Sequence, residues 1–261
     1  MPGRPGGGKK LRKLAAGWRW RLGYAVGTPI PHHFEDEVAD TIRAVRRHTL
    51  TSADRIAALC DSVRYIVEND VPGDLAECGV WRGGSMMAVA LTLGRLGVTD
   101  RALYGYDTYA GMPEPGAADR SSAYDGYSIH KRWRLYERWG RAWAGAGVEE
   151  VREAMESTGY PPARVHLIKG MVEDTLPSEA PEQLALLRLD TDWYASTRHE
   201  LEQLYPRLTV GGVLIVDDYG HYEGARKAVD EYFTTRGEHV LLHRIDWTGR
   251  MVLKQASGRD S

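Results

Sequence analysis

The sequence predicts an α/β fold, a mostly parallel sheet of seven strands with helices on both faces. Three observations carry that expectation. Five short apolar runs, at 75–78, 102–106, 165–168, 184–189 and 212–216, are spread through the chain, and runs of that length read as buried parallel strands. Stretches with helical spacing of apolar residues separate them, an alternation that builds strand–helix–strand units. Near the end, residues 240–245 and 251–253 flank Thr248-Gly249 and read as a closing antiparallel pair.

Taken in order, residues 36–69 read as helical. Thr49 to Asp54 are cap-type residues, and Ile56, Leu59, Cys60, Val63 and Ile66 follow at helical spacing. Val71-Pro72-Gly73-Asp74 is a turn. The first strand ends in Glu77-Cys78, a glycine-rich turn runs from Gly79 to Ser85, and residues 86–96 read as a helix. The second strand ends in Asp107. Residues 111–145 then break the pattern with Pro113, Pro115, several glycines and a cluster of Tyr and Trp. An irregular stretch of that length covers a site or is mobile, and a lid over about 112–145 is expected. Further helices are expected at 148–157, 197–208 and 224–235.

The 261 residues are enough for one substantial core. A net charge of −2 carries no nucleic-acid signal. Cys60 and Cys78 lie in apolar contexts and read as buried reduced thiols. No apolar run approaches the roughly 20 residues of a membrane span, and no signal-peptide pattern is present. A cytoplasmic enzyme with no nucleic-acid partner is expected. The domain is expected over 36–261, preceded by a basic arm at 1–35. Residues 1–21 of that arm hold seven Lys or Arg and no acid, with Trp18 and Trp20 among them. The arm reads as a mobile or subunit-docking segment rather than a membrane-surface helix, because Gly3 and Gly6-Gly7-Gly8 break any long amphipathic stripe.

The chemistry is concentrated in acids that end strands. Asp190-Thr191-Asp192 follows the fourth run, and Asp217-Asp218 follows the fifth. Carboxylates at the C-terminal ends of neighbouring parallel strands enter the crevice where open α/β sheets bind ligands. Their mutual repulsion there would be relieved by a hard divalent cation, and oxygen-only ligands suit Mg²⁺. The competing reading is that Asp192 caps the next helix and Asp218 caps a turn.

The turn Glu77-Cys78-Gly79-Val80-Trp81-Arg82-Gly83-Gly84-Ser85 matches neither the dinucleotide fingerprint nor a phosphate loop. Glu77 suits a cationic ligand better than a pyrophosphate. An acid at the position of Asp107 pairs with ribose hydroxyls, or else caps a turn. Gly170, Met171 and Val172 end the third strand, where an adenine ring would lie. Together these are the requirements of S-adenosylmethionine, whose sulfonium cation tolerates nearby carboxylates.

The chain resembles the macrocin O-methyltransferase family of antibiotic-sugar methyltransferases over roughly residues 45–255. The stretches that carry the resemblance are 74–85, 105–113, 187–196 and 211–233. It implies a class I methyltransferase fold, a Rossmann-like sheet with a helical N-terminal extension, and homo-oligomers. It implies S-adenosylmethionine held by Glu77, Cys78, Gly79, Val80, Trp81, Ser85, Asp107, Thr108, Gly170, Met171, Val172 and Asp190. It implies Mg²⁺ on Asp190, Asp217 and Asp218, with Asp192 as the general base. Set beside the metal-dependent catechol-type methyltransferases, the last ligand is Asp218 rather than an Asn, and no Lys follows the first ligand.

The expected reaction is in-line methyl transfer from sulfur to a hydroxyl of a sugar on a glycosylated natural product. His221 is an alternative base, or an ordinary surface histidine. Tyr109, Met112, Tyr124, Tyr127 and Trp133 are candidate acceptor contacts through stacking and apolar packing, the alternative being ordinary packing of a surface loop. Two other functions compete: methylation of a catechol or phenol, and a non-catalytic binding protein that keeps the fold.

Overall fold

A computed structural model of the chain describes residues 30–121 and 126–256. Its core is a seven-stranded sheet of β1 (Asp74–Cys78), β2 (Leu103–Asp107), β3 (Val165–Lys169), β4 (Leu184–Leu189), β5 (Leu208–Val216), β6 (His243–Arg244) and β7 (Arg250–Leu253). The spatial order is β3-β2-β1-β4-β5-β7-β6. The first five strands are parallel, and β7 pairs antiparallel with both β5 and β6. The order reverses direction between β1 and β4, so a crevice opens beyond their C-terminal ends.

Among the described residues eight α-helices surround the sheet: α1 (Asp36–Val45), α2 (Ala53–Glu68), α3 (Gly84–Arg95), α4 (Ile129–Arg138), α5 (Val148–Glu156), α6 (Val172–Thr175), α7 (Tyr194–Leu204) and α8 (Glu223–Arg236). Alternation along each strand divides the core in two. Leu75, Leu186, Val213 and Ile215 face α1, α2, α3 and α5. Ala76, Cys78, Leu187, Leu189, Leu214 and Val216 face α7 and α8.

Four local expectations change. The stretch expected as helix over 36–69 is two helices, and the break falls at the cap residues, where the Ser52 Oγ accepts from the Arg55 N–H at 3.2 Å. The helix expected at 197–208 begins three residues earlier, at Tyr194, directly after the acidic loop. The fifth strand reaches back to Leu208. The described residues of the lid region include a helix, α4, whose N-cap Ser128 accepts from the Lys131 N–H. Most of the basic arm, including Trp18 and Trp20, lies outside the described residues. From 30 onward it packs on the core through Ile30 and Phe34.

Candidate active site

A cavity of about 220 Å³ lies at the C-terminal ends of β1, β2, β4 and β5, roofed by the segment after β2. Its donor half is built on the glycine turn. Gly79 takes φ +85, and there its backbone lies against that of Asp190, leaving no room for a Cβ. Asp107 holds the turn in shape. Its Oδ2 accepts the N–H groups of Val80 at 2.8 Å and Trp81 at 2.9 Å, and its Oδ1 accepts that of Tyr109 at 2.7 Å. Burial raises the Asp107 carboxyl, and those three N–H donors oppose the rise.

Eleven of the twelve residues expected at the cofactor line this cavity: Glu77, Gly79, Val80, Trp81, Ser85, Asp107, Thr108, Gly170, Met171, Val172 and Asp190. Cys78 does not. Alternation turns its thiol into the core below α7, where it is fully buried. Only its carbonyl serves the site, accepting from the Asp190 N–H at 2.8 Å.

The acidic half departs from expectation at one member. Oxygens of Asp190, Asp192 and Asp218 lie within 4.8 Å of one another. Asp217 lines the same cavity but is not one of the three. In register, Glu77 stands beside Arg188, and Arg188 beside Ile215. Asp217, two residues beyond Ile215, and Asp190, two beyond Arg188, continue that line past the strand ends, where Arg188 reaches both. The Asp217 carboxylate pairs with Arg188 through Oδ1 and with Arg55 through Oδ2, so of the expected set Asp190, Asp217 and Asp218 two members meet in the cluster and the third stands beside it against arginine.

This cluster fits a hard cation. The Asp218 Oδ2 is buried with no hydrogen-bond partner, a costly state for a carboxylate oxygen. Burial and the neighbouring Asp192 push the Asp218 carboxyl well up. Burial likewise pushes Asp190 up to about 8, opposed by Arg188 and reinforced by Asp218. Asp192 itself has φ +69, a strained backbone for a non-glycine residue. Crowded, strained carboxylates that all supply oxygen match what Mg²⁺ selects.

Between the two halves lies a buried charge network that the sequence reading missed. Arg188, only 2% exposed, reaches Glu77, Asp190 at 2.8 Å and Asp217, and donates to the Thr51 Oγ1 at 2.9 Å. Arg55 continues the chain from Asp217 to Asp246 at 3.0 Å. The signal was present: Arg188 is the one cation in an otherwise apolar strand, and a buried cation requires carboxylates.

The lid is anchored by Asp119, also unforeseen. Its Oδ1 accepts the N–H of Tyr194, the first residue of α7, at 2.8 Å, and its Oδ2 accepts that of Gly116 at 2.9 Å. The Trp193 Nε1 donates to the Pro113 carbonyl at 3.1 Å. Trp193, Trp143, Ile129 and Tyr222 form a small core of their own.

Two expected acceptor contacts serve packing instead. Tyr109 is 5% exposed within the main core, its hydroxyl donating to the Gly105 carbonyl at 3.1 Å. Trp133 packs on the lid core and donates through Nε1 to the Met112 carbonyl at 3.2 Å. Met112 does line the cavity, and Tyr127 is not among the lining residues. Tyr124 lies outside the described residues. His221 lines the cavity with its ring 5.3 Å from that of Trp247 and 4.3 Å from that of Tyr222. Trp143 and Trp247, which also line the cavity, were not singled out from the sequence.

Comparison with known proteins matches residues 34–254 to the family model described as Macrocin-O-methyltransferase (TylF). The chain belongs to the macrocin O-methyltransferase family. This O-methyltransferase is 37% identical over 202 residues to the 8-demethyl-8-(2,3-dimethoxy-alpha-L-rhamnosyl)-tetracenomycin-C 4'-O-methyltransferase of Streptomyces olivaceus, covering 77% of this chain and 74% of the relative. It is 36% identical over 200 residues to the demethyldecarbamoylnovobiocin O-methyltransferase of Streptomyces niveus, covering 76% and 73%. The solved structure of the O-methyltransferase NovP superposes with a TM-score of 0.72 at 30% identity, covering 94% of this chain and 99% of that one. The methyltransferase therefore has the class I fold of enzymes that use S-adenosylmethionine. No helix among its described residues is long and apolar enough to cross a membrane.

Proposed function

We propose that this methyltransferase transfers the methyl group of S-adenosylmethionine to a hydroxyl of a sugar on a glycosylated natural product, with Mg²⁺ bound in the acidic half of the cleft. The observation that carries this reading is the group Asp190, Asp192 and Asp218, with its unpartnered Asp218 oxygen, in the same cavity as the glycine turn and Asp107. The named relatives, acting on a rhamnosyl tetracenomycin and on a novobiocin precursor, support a sugar as acceptor.

On this reading Glu77 faces the amino-acid end of the donor, Asp107 the ribose, and Gly170 to Val172 the adenine. Asp190 and Asp218 hold the cation, in keeping with the small number of carboxylates Mg²⁺ uses. When bound, the cation supplies a Lewis acid that lowers the pKa of a hydroxyl. Asp192, brought into the same cluster by its strained backbone, takes the proton. His221, Trp247, Trp143 and Met112 form the acceptor side of the cavity. Aromatic rings there suit the apolar faces of a sugar or an aglycone, and the lid excludes water from the reacting atoms.

Two measurements decide the matter. Chelator-treated Asp190→Ala protein with full activity would refute metal-assisted transfer. Acceptor profiling with sugar diols against catechols tests the substrate class, and faster turnover of catechols would exclude the sugar reading.

A further inference from the structure

We propose that Arg188 is a positioning residue that holds the donor half and the metal half of the cleft in a common geometry. The inference rests on the proposed function for the roles of Glu77 and Asp190, and adds a residue whose side chain is absent from the cavity lining.

Three adjacent parallel strands deliver one carboxylate each to the same guanidinium. Glu77 comes from β1, Asp190 from the end of β4 and Asp217 from the end of β5. The planar fork divides them. Nη1 serves both Glu77 and Asp190, and Nη2 serves Asp217 and the Thr51 Oγ1. Glu77 is 6% exposed and Asp217 2% exposed, so neither has solvent to replace the guanidinium.

The contrast between the adjacent aspartates shows what the fork accomplishes. Both carboxylate oxygens of Asp217 are engaged by arginines, whereas Asp218 keeps a buried oxygen without a partner. Arg188 thus secures the end of β5 through Asp217, next to the Asp218 oxygen that stays open to a cation. Through the same Nη1 it fixes Glu77, and a shift of the fork moves both ends together. A lysine carries the charge but presents a single ammonium in place of the two-armed plane, and cannot span these partners in one geometry.

The test uses the whole chain and two probes, each measured in the absence of the other and of acceptor: S-adenosylhomocysteine by calorimetry, and Mn²⁺ by its paramagnetic resonance. Arg188→Lys is expected to weaken both by about tenfold or more, the usual scale for a residue that orients ligands from behind. Lys254→Met serves as a control for mere destabilisation, because Lys254 ties the Tyr205 and Leu208 carbonyls together away from the cleft. It should lower the melting temperature and leave both affinities in place. Loss at one site only, loss at neither, or equal losses in Lys254→Met overturns the proposal. If Arg188→Lys does not fold, Thr51→Val removes one acceptor from the fork and keeps the buried charge. It should reproduce both losses at about tenfold each, the low end of that scale, and its failure to move either affinity also overturns the proposal. A wild-type chain that binds neither probe overturns instead the functional reading.

Discussion

Gly79 and Asp190 stand in backbone contact, one in the donor turn and the other at the head of the acidic loop. A Cβ on Gly79 would overlap the Asp190 carbonyl oxygen, and the φ of +85 at Gly79 disfavours any side chain. The left-handed backbone alone costs an L-residue about 1–2 kcal/mol, and the overlap adds to it. Gly79→Ala is therefore expected to lower the melting temperature and weaken S-adenosylhomocysteine binding at least tenfold, as read by thermal denaturation and calorimetry. Unchanged affinity would mean that the two loops move apart freely.

Asp192 and Asp218 share one cluster but are assigned different work. Asp192→Asn removes the proton acceptor and should lower kcat by about 10²–10⁴, with Mn²⁺ affinity nearly intact. Asp218→Asn should instead weaken Mn²⁺ binding directly. Single-turnover kinetics and metal titration on both variants separate the roles. The assignment is reversed if Asp192→Asn loses the metal and Asp218→Asn does not.

Asp119 binds the lid to the start of α7, and Gly224 is packed so tightly against it that a Cβ there would collide with the carboxylate. Asp119→Ala removes the acceptor of the Tyr194 N–H at the start of α7 and of the exposed Gly116 N–H, at a cost of about 1 kcal/mol. The melting temperature should fall and the acceptor KM should rise. Affinity for S-adenosylhomocysteine should hold, because the donor turn is fixed separately by Asp107. Steady-state kinetics and calorimetry read the two effects independently.

Glu200, fully buried on α7, accepts from the Thr191 hydroxyl at 3.1 Å and has a second oxygen without a partner. Burial raises its carboxyl to about 8, opposed by the Thr191 hydrogen bond. An acid whose pKa is raised in the folded state keeps its proton there after the unfolded chain has lost it. Its contribution to stability is whole below the ordinary glutamate range and is lost as pH rises toward 8, with a slope of at most about 1.4 kcal/mol per pH unit. Melting temperatures between pH 5 and 8.5 should fall less steeply in Glu200→Gln than in the parent. Parallel curves would show that Glu200 is ionised in the folded protein.

Much of this protein is local in origin and was legible in its sequence. The five parallel strands, the glycine turn, Asp107 at the end of β2 and the acids after β4 and β5 are set by apolar runs and their terminating residues, which act over a few neighbours. Eleven of the twelve residues expected at the cofactor line one cavity because a strand's C-terminal end points to one place in an open sheet. The misses are non-local. Cys78 was assigned to the site by position along the chain, but alternation turned its thiol into the core, and Asp217, which lines the cavity, is taken up by two arginines. Tyr109 sits in the core, its hydroxyl donating to the Gly105 carbonyl. Arg188 meets Glu77 across 111 residues of sequence, and Asp119 meets Tyr194 across 75. The sequence by itself determined the sheet and the chemical inventory of its upper edge. Only the tertiary structure decided which acids pair with arginine and which do not, because burial drives charges in that crevice to seek partners on distant strands.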